Sequence, residues 1–135
     1  PGFLFGEVKS SSESDCPPQV VASGDDCLLR QLRRLVTSSE HRQQLIQWLL
    51  VRARGTDWLP IFDEALKHYC SNPAQDCIQG VLVRGANPPN QKDLSGCHET
   101  LAQEETTFAV SLFGFYLPFN KNQWPELIYQ EGATR

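Results

Sequence analysis

The stretch RQQLIQWLLVRARGTDWLPIFDEALKHY, Arg42–Tyr69, decides how the rest of this chain is interpreted. In the run Leu45–Ala53 only Gln47 and Arg52 are strongly polar, so both faces of an extended segment would be apolar. Such a run predicts a buried central strand. The competing interpretation is a single helix over residues 40–53, and hydrophobic periodicity alone does not separate the two.

A helix is predicted directly after this run. Apolar residues recur at helical spacing from Leu59 to Tyr69, with Pro60 in the first turn. Thr56 or Asp57 can cap the helix, because either side-chain oxygen can accept a hydrogen bond from a free backbone N–H of the first turn. The local plan is therefore a strand followed by a helix that packs back on it.

The flanking segments extend this plan into a single mixed α/β domain. An amphipathic helix is predicted where Leu28, Leu29, Leu32, Leu35 and Val36 form an apolar stripe opposite three arginines. Runs of β-branched and aromatic residues predict further strands at residues 2–8, 19–22, 77–83, 106–117 and 126–130. Serine- and proline-rich composition predicts flexible loops at 9–18 and 85–105. We expect one domain over residues 1–135, with helices flanking a central mixed sheet.

Composition limits the functions that are open to the chain. The formal charge of −4 over 135 residues leaves no basic stripe, so nucleic acid is not expected as a partner. No apolar run approaches the ~20 residues that cross a bilayer. Five cysteines leave at least one unpaired, which favours a reducing, intracellular compartment. The sequence contains no phosphate-binding glycine loop, and it predicts neither a cofactor nor a small-molecule substrate.

The order of these blocks resembles the MPN domain, and within it the Abraxas-type branch. GFLFGEV at residues 2–8 is similar to the first strand of that branch, and LIQWLLVRAR at residues 45–54 is loosely similar to its second. The chain departs from the pattern in the second block, where Gln47 replaces the usual glycine and Leu49 the usual aromatic residue.

The resemblance implies a domain without its metal site. Catalytic MPN proteins are zinc-dependent isopeptidases that use a glutamate on the first strand, a His-x-His motif after the central strand and an aspartate on the next helix. Glu7 matches the glutamate as a vestigial site position and Asp63 lies where the aspartate would fall, but no two histidines are two residues apart. We therefore expect a pseudoenzyme with no catalytic residue and no bound metal.

The resemblance also implies a function. Abraxas-type proteins pair with a catalytic MPN deubiquitinase, so this chain is expected to be a scaffold subunit that forms a heterodimer in a ubiquitin-linked or DNA-repair complex of the nucleus or cytoplasm. The helix after the central run commonly contributes to such interfaces. Its large side chains Trp58, Phe62 and Tyr69 are accordingly the predicted partner-binding residues.

Two alternatives remain open at the level of sequence. The stretch Leu45–Leu66 is also typical of two successive helices of a caspase-recruitment-type death fold, which would make the chain an all-helical adaptor. An active metalloprotease with unconventional ligands is the other. Cys70, Cys77, Cys97 and His98 could supply four ligands, but their spacing is not that of a zinc ribbon.

Overall fold

The computed structural model describes residues 2–72 and 76–118 of the chain. Three strands and five helices form in this part. In chain order they are β1 (Leu4–Ser11), α1 (Gln19–Ala22), α2 (Leu28–Thr37), α3 (Ser39–Ala53), α4 (Leu59–Ser71), β2 (Cys77–Arg84), α5 (Gln91–Ala102) and β3 (Ala109–Tyr116). No helix among the described residues is long and apolar enough to span a membrane.

The three strands form one parallel sheet in the order β1-β2-β3. The registers place Phe5 opposite Ile78 and Ile78 opposite Val110. The predicted mixed α/β class is confirmed. An all-helical death fold is wrong for this chain, because the sheet lies at the centre of the described core.

Helix α2 covers one face of the sheet. Leu28 and Leu32 of this helix are fully buried, as are Ile78 and Leu82 of the central strand. Gly80 lies between them, and a Cβ atom built on it would be 2.5 Å from Leu32 Cδ1. The helix therefore approaches the central strand so closely that the position has no room for a side chain.

The opposite face of the sheet is exposed in the described part of the chain. Leu4 and Val8 of β1 are 62% and 64% exposed, and Phe113 and Phe115 of β3 are 43% and 53% exposed. Parallel sheets are normally covered on both faces. This open apolar face is therefore an unusual feature of the surface.

The prediction of a central strand at Leu45–Ala53 is wrong, and the competing helix is the observed structure. Ser38 caps α3, since its hydroxyl oxygen accepts from the His41 N–H at 3.1 Å. Within α3 only Arg42, Ile46 and Ala53 are buried. The apolar run therefore forms a helix with several apolar side chains in solvent, and not a strand with two buried faces.

Three further predictions need correction. Residues 19–22 form the short helix α1 and not a strand. The predicted loop at 85–105 contains α5, which begins at a capping box formed by Asn90 and Asp93. The predicted loop at 9–18 begins with residues that complete β1, while the strand predicted at 126–130 lies outside the described residues.

Candidate partner-binding groove

Helices α3 and α4 form an antiparallel pair. The turn between them contains Gly55 at a φ of +74° and Thr56, whose hydroxyl donates to the Ala53 carbonyl oxygen at 2.7 Å and accepts from the Trp58 N–H at 3.2 Å. At the far end of the pair, Arg42 of α3 contacts Tyr69 of α4. The turn is thereby fixed by local hydrogen bonds, and it holds Trp58 at the start of α4.

An apolar groove of about 300 Å³ lies between the two helices. Phe3 and Phe62 are buried and form its floor, with their ring centroids 5.6 Å apart. Three large exposed side chains line it, namely Leu49 from α3 with Trp58 and Ile61 from α4. The groove therefore has room for large apolar side chains of a partner.

The large apolar side chains that line the groove are exposed to solvent. Trp58 is 69% exposed, and Leu49 and Ile61 are each about half exposed. Trp48 and Val51 add exposed apolar surface on α3 outside the groove. Contiguous exposed apolar surface of this kind is typical of protein-binding sites.

The three predicted partner-binding residues have different environments. Trp58 lies on the wall of the groove and Phe62 lies in its floor. Tyr69 does not line the groove, because its ring packs against Phe3 and Phe5 at centroid distances of 5.9 and 6.0 Å. The geometry thus brings the first two together and gives the third an intramolecular packing role.

Sequence reasoning missed Leu49 and Ile61. The predicted strand over Leu45–Ala53 would bury Leu49. Ile61 lies beside the apolar residues at helical spacing from Leu59 to Tyr69 that predict α4. The signal was available in the helical interpretation of residues 40–53, where apolar residues occur on more than one face. A helix with that pattern has apolar surface left over after one face is buried.

Glu7, the predicted vestigial site position, takes part in an ion-pair chain. Its carboxylate lies 2.8 Å from Lys9 Nζ, which also lies 2.8 Å from the Asp26 carboxylate. Burial alone would lower the pKa of Lys9, but the hydrogen bonds that its ammonium group donates to the Asp26 and Glu7 carboxylates outweigh this effect and raise that pKa. Among the described residues no group of three or more histidine, cysteine or acidic side chains is placed to hold a metal ion.

A buried ion pair lies at the carboxyl end of the sheet, away from the groove. Arg84 and Asp93 are 2% and 1% exposed, with Arg84 Nε 3.6 Å from Asp93 Oδ2. Arg84 also donates to the Asp15 carbonyl oxygen at 2.9 Å. The nearby Asp93 carboxylate raises the pKa of the Cys16 thiol, which disfavours the nucleophilic thiolate. The cluster is therefore suited to holding the chain together rather than to thiol chemistry.

Comparisons of the chain with family models, with curated proteins and with solved structures found no match.

Proposed function

We propose that this domain is a non-catalytic scaffold that binds a partner protein through the groove between α3 and α4. The observation that carries the proposal is the exposure of Trp58 beside the apolar groove, with Leu49 and Ile61 next to it. Tryptophan is the residue type most enriched at binding hot spots, where it fills or forms a well-packed pocket. Burial of these three side chains by a partner would remove a large exposed apolar area from water.

The occupant that best fits the groove is an amphipathic helix of the partner. A third helix can pack into the groove between two antiparallel helices. A volume of about 300 Å³ accommodates a few of its large side chains. Helices that bind in this mode present anchors at positions i, i+3 or i+4, and i+7. Among the described residues, Arg52 is the only ionisable one that lines the groove, so the partner helix is expected to carry an acidic residue beside its apolar anchors.

An MPN-type partner in a ubiquitin-linked or DNA-repair complex remains a prediction of the resemblance. The second block of that resemblance, residues 45–54, was matched to a strand and lies largely in α3. The proposal therefore depends on the groove and not on the family likeness.

The experiment compares two equally exposed tryptophans. The tagged chain, its Trp58→Ala variant and its Trp48→Ala variant are used for affinity purification from cell extract, followed by mass spectrometry. Trp48 is 68% exposed and lies outside the groove, so it controls for the general loss of surface apolar area. We expect a stoichiometric partner that is lost with Trp58→Ala and retained with Trp48→Ala.

Titration of the recombinant partner then tests the chemistry of the site. Trp58→Ala is expected to weaken binding by at least about 30-fold, which corresponds to a hot-spot residue. Arg52→Glu is expected to weaken binding of a partner helix that carries an acidic residue. Equal recovery of partners by both tryptophan variants, or binding that survives Trp58→Ala unchanged, would exclude the groove as the binding site.

A further inference from the structure

The strand β3 has a free edge in the described part of the chain, where it pairs only with β2. The N–H of Leu117 donates to the Arg84 carbonyl oxygen of β2 at 2.9 Å, so odd-numbered residues at this end of β3 direct their backbone groups toward β2. Backbone direction alternates along a strand. The N–H and C=O groups of Val110, Leu112 and Gly114 consequently point outward from the sheet.

Within the described residues, β3 carries neither the charge nor the proline that commonly protects such an edge against pairing. The strand Ala109–Tyr116, AVSLFGFY, contains no charged residue and no proline over its eight residues. Edge strands of monomeric proteins are normally short, charged, bulged or interrupted by proline, since a flat apolar edge is a template for another strand. The sequence of β3 is therefore suited to a strand that is paired on both sides.

A groove runs beside the free edge and gives room for an added strand. Two adjoining cavities of about 470 and 260 Å³ lie between α5 and β3 and share His98 in their walls. Leu112 and Gly114 line the first cavity, and Val110 lines the second. The residues whose backbone groups point outward thus also line this groove.

We propose that β3 pairs antiparallel with β3 of a second copy of this chain, which joins two three-stranded sheets into one sheet of six strands. A two-fold axis perpendicular to the sheet makes two identical edge strands antiparallel, and antiparallel pairing is the more stable kind. Because β3 is uncharged, self-pairing brings no like charges together. The exposed Phe113 rings of the two copies would meet as cross-strand neighbours on the open face of the sheet.

The size of the contact predicts a reversible dimer. A strand of eight residues is about 26 Å long, and one strand with the helical layer over it is about 15 Å thick, which gives roughly 400 Å² per copy. A standard interface buries about 800 Å² per partner. We therefore expect a weak dimer that dissociates on dilution. The inference is independent of the groove between α3 and α4, since the two surfaces share no residue.

The test is sedimentation velocity of the full chain from about 1 to 500 µM, with two lysine variants. Ser111→Lys places a charge on the exposed side of the edge strand, close to the two-fold axis. Gln79→Lys places the same charge on the same face, at the position of β2 in register with Ser111 but away from the edge. We expect Ser111→Lys to raise the dissociation constant at least tenfold and Gln79→Lys to leave it unchanged.

Hydrogen exchange identifies the pairing strand. The outward amides of Leu112 and Gly114 should be protected in concentrated and not in dilute protein, while the Phe113 amide, which points toward β2, should be protected in both. A monomer at every concentration would overturn the proposal, as would equal effects of the two lysine variants. Protection of the outward amides in dilute monomer would also overturn it, since the edge would then be covered within the same chain.

Discussion

Arg42 and Tyr69 join the far ends of α3 and α4, with Arg42 Nε donating to the Tyr69 hydroxyl oxygen at 3.2 Å. The same guanidinium donates through Nη1 to the carbonyl oxygens of Leu35 at 2.5 Å and Val36 at 3.1 Å, near the C-terminus of α2. It also lies 4.5 Å from the ring centroid of Phe108. One buried cation thus satisfies the free carbonyls of α2 and connects three helices.

We predict that Arg42→Met lowers the free energy of unfolding by about 3 kcal/mol. The variant leaves the buried carbonyls of Leu35 and Val36 without their donor, and hydrogen bonds to charged groups contribute about 1.5–3 kcal/mol each. Tyr69→Phe removes a single hydrogen bond and should cost about 1 kcal/mol. Urea denaturation followed by circular dichroism measures both. The exposed Arg52→Met is the control, and a cost for Arg42→Met no larger than for this control would contradict the assigned role.

Two glycine-to-alanine changes are predicted to have opposite signs. At Gly80 an added Cβ would lie 2.5 Å from Leu32 Cδ1 and 2.8 Å from Leu112 Cδ2, so Gly80→Ala should destabilise by about 1–3 kcal/mol through overpacking. At Gly96, inside α5, an added Cβ meets nothing within 4 Å. Gly96→Ala should therefore stabilise by up to about 1 kcal/mol through helix propensity. The midpoints of thermal unfolding would move in opposite directions, and a shift of both in one direction would contradict the packing described here.

The sequence predicts a helix or strand correctly where a single local pattern dominates the segment. The stripe from Leu28 to Val36 predicted α2, and the β-branched and aromatic runs predicted β2 and β3. The run Leu45–Ala53 predicts a buried strand only if its apolar residues are buried. Trp48 and Val51 are instead exposed, and local propensity does not indicate this.

Helix α5 was missed for a different reason. The prolines at 88 and 89 suggested a loop, but Asn90 begins a helix by accepting from the Lys92 N–H at 3.0 Å, and its own N–H donates to Asp93 at 2.9 Å. A capping box of this type was readable as asparagine followed three residues later by aspartate. The parallel strand order was not readable, since it depends on contacts between segments about 70 residues apart. The sequence predicts Trp58 as an anchor, but finding the groove beside it requires the correct assignment of α3 as a helix.

The buried pair Arg84 and Asp93 should show strong energetic coupling. Each single variant, Arg84→Met or Asp93→Asn, leaves the other charge or polar group without its partner in the interior, and breaking a buried pair costs about 3–5 kcal/mol. The double variant should cost at least about 1 kcal/mol less than the sum of the single changes. A double-mutant cycle of unfolding free energies measures this coupling. Additive effects would show that the two side chains act independently across their 3.6 Å separation.

The thiol of Cys97 predicts a loss of stability at high pH. Burial, with a smaller effect of the neighbouring Cys27, raises the pKa of Cys97 from 9.0 to about 11. Between these values the thiol ionises in the unfolded chain but stays protonated in the folded chain, so rising pH favours unfolding. The Cys97 thiol therefore leaves the free energy of unfolding unchanged below pH 9 and lowers it by on the order of 2 kcal/mol by pH 11.

Cys97→Ala should be less stable than the wild type at pH 8, and the difference should shrink or reverse by pH 11, because the variant lacks the titrating group. The exposed Cys70→Ala is the control. A stability difference for Cys97→Ala that is as independent of pH as that of the control would show that the Cys97 thiol ionises as readily in the folded protein as in the unfolded chain.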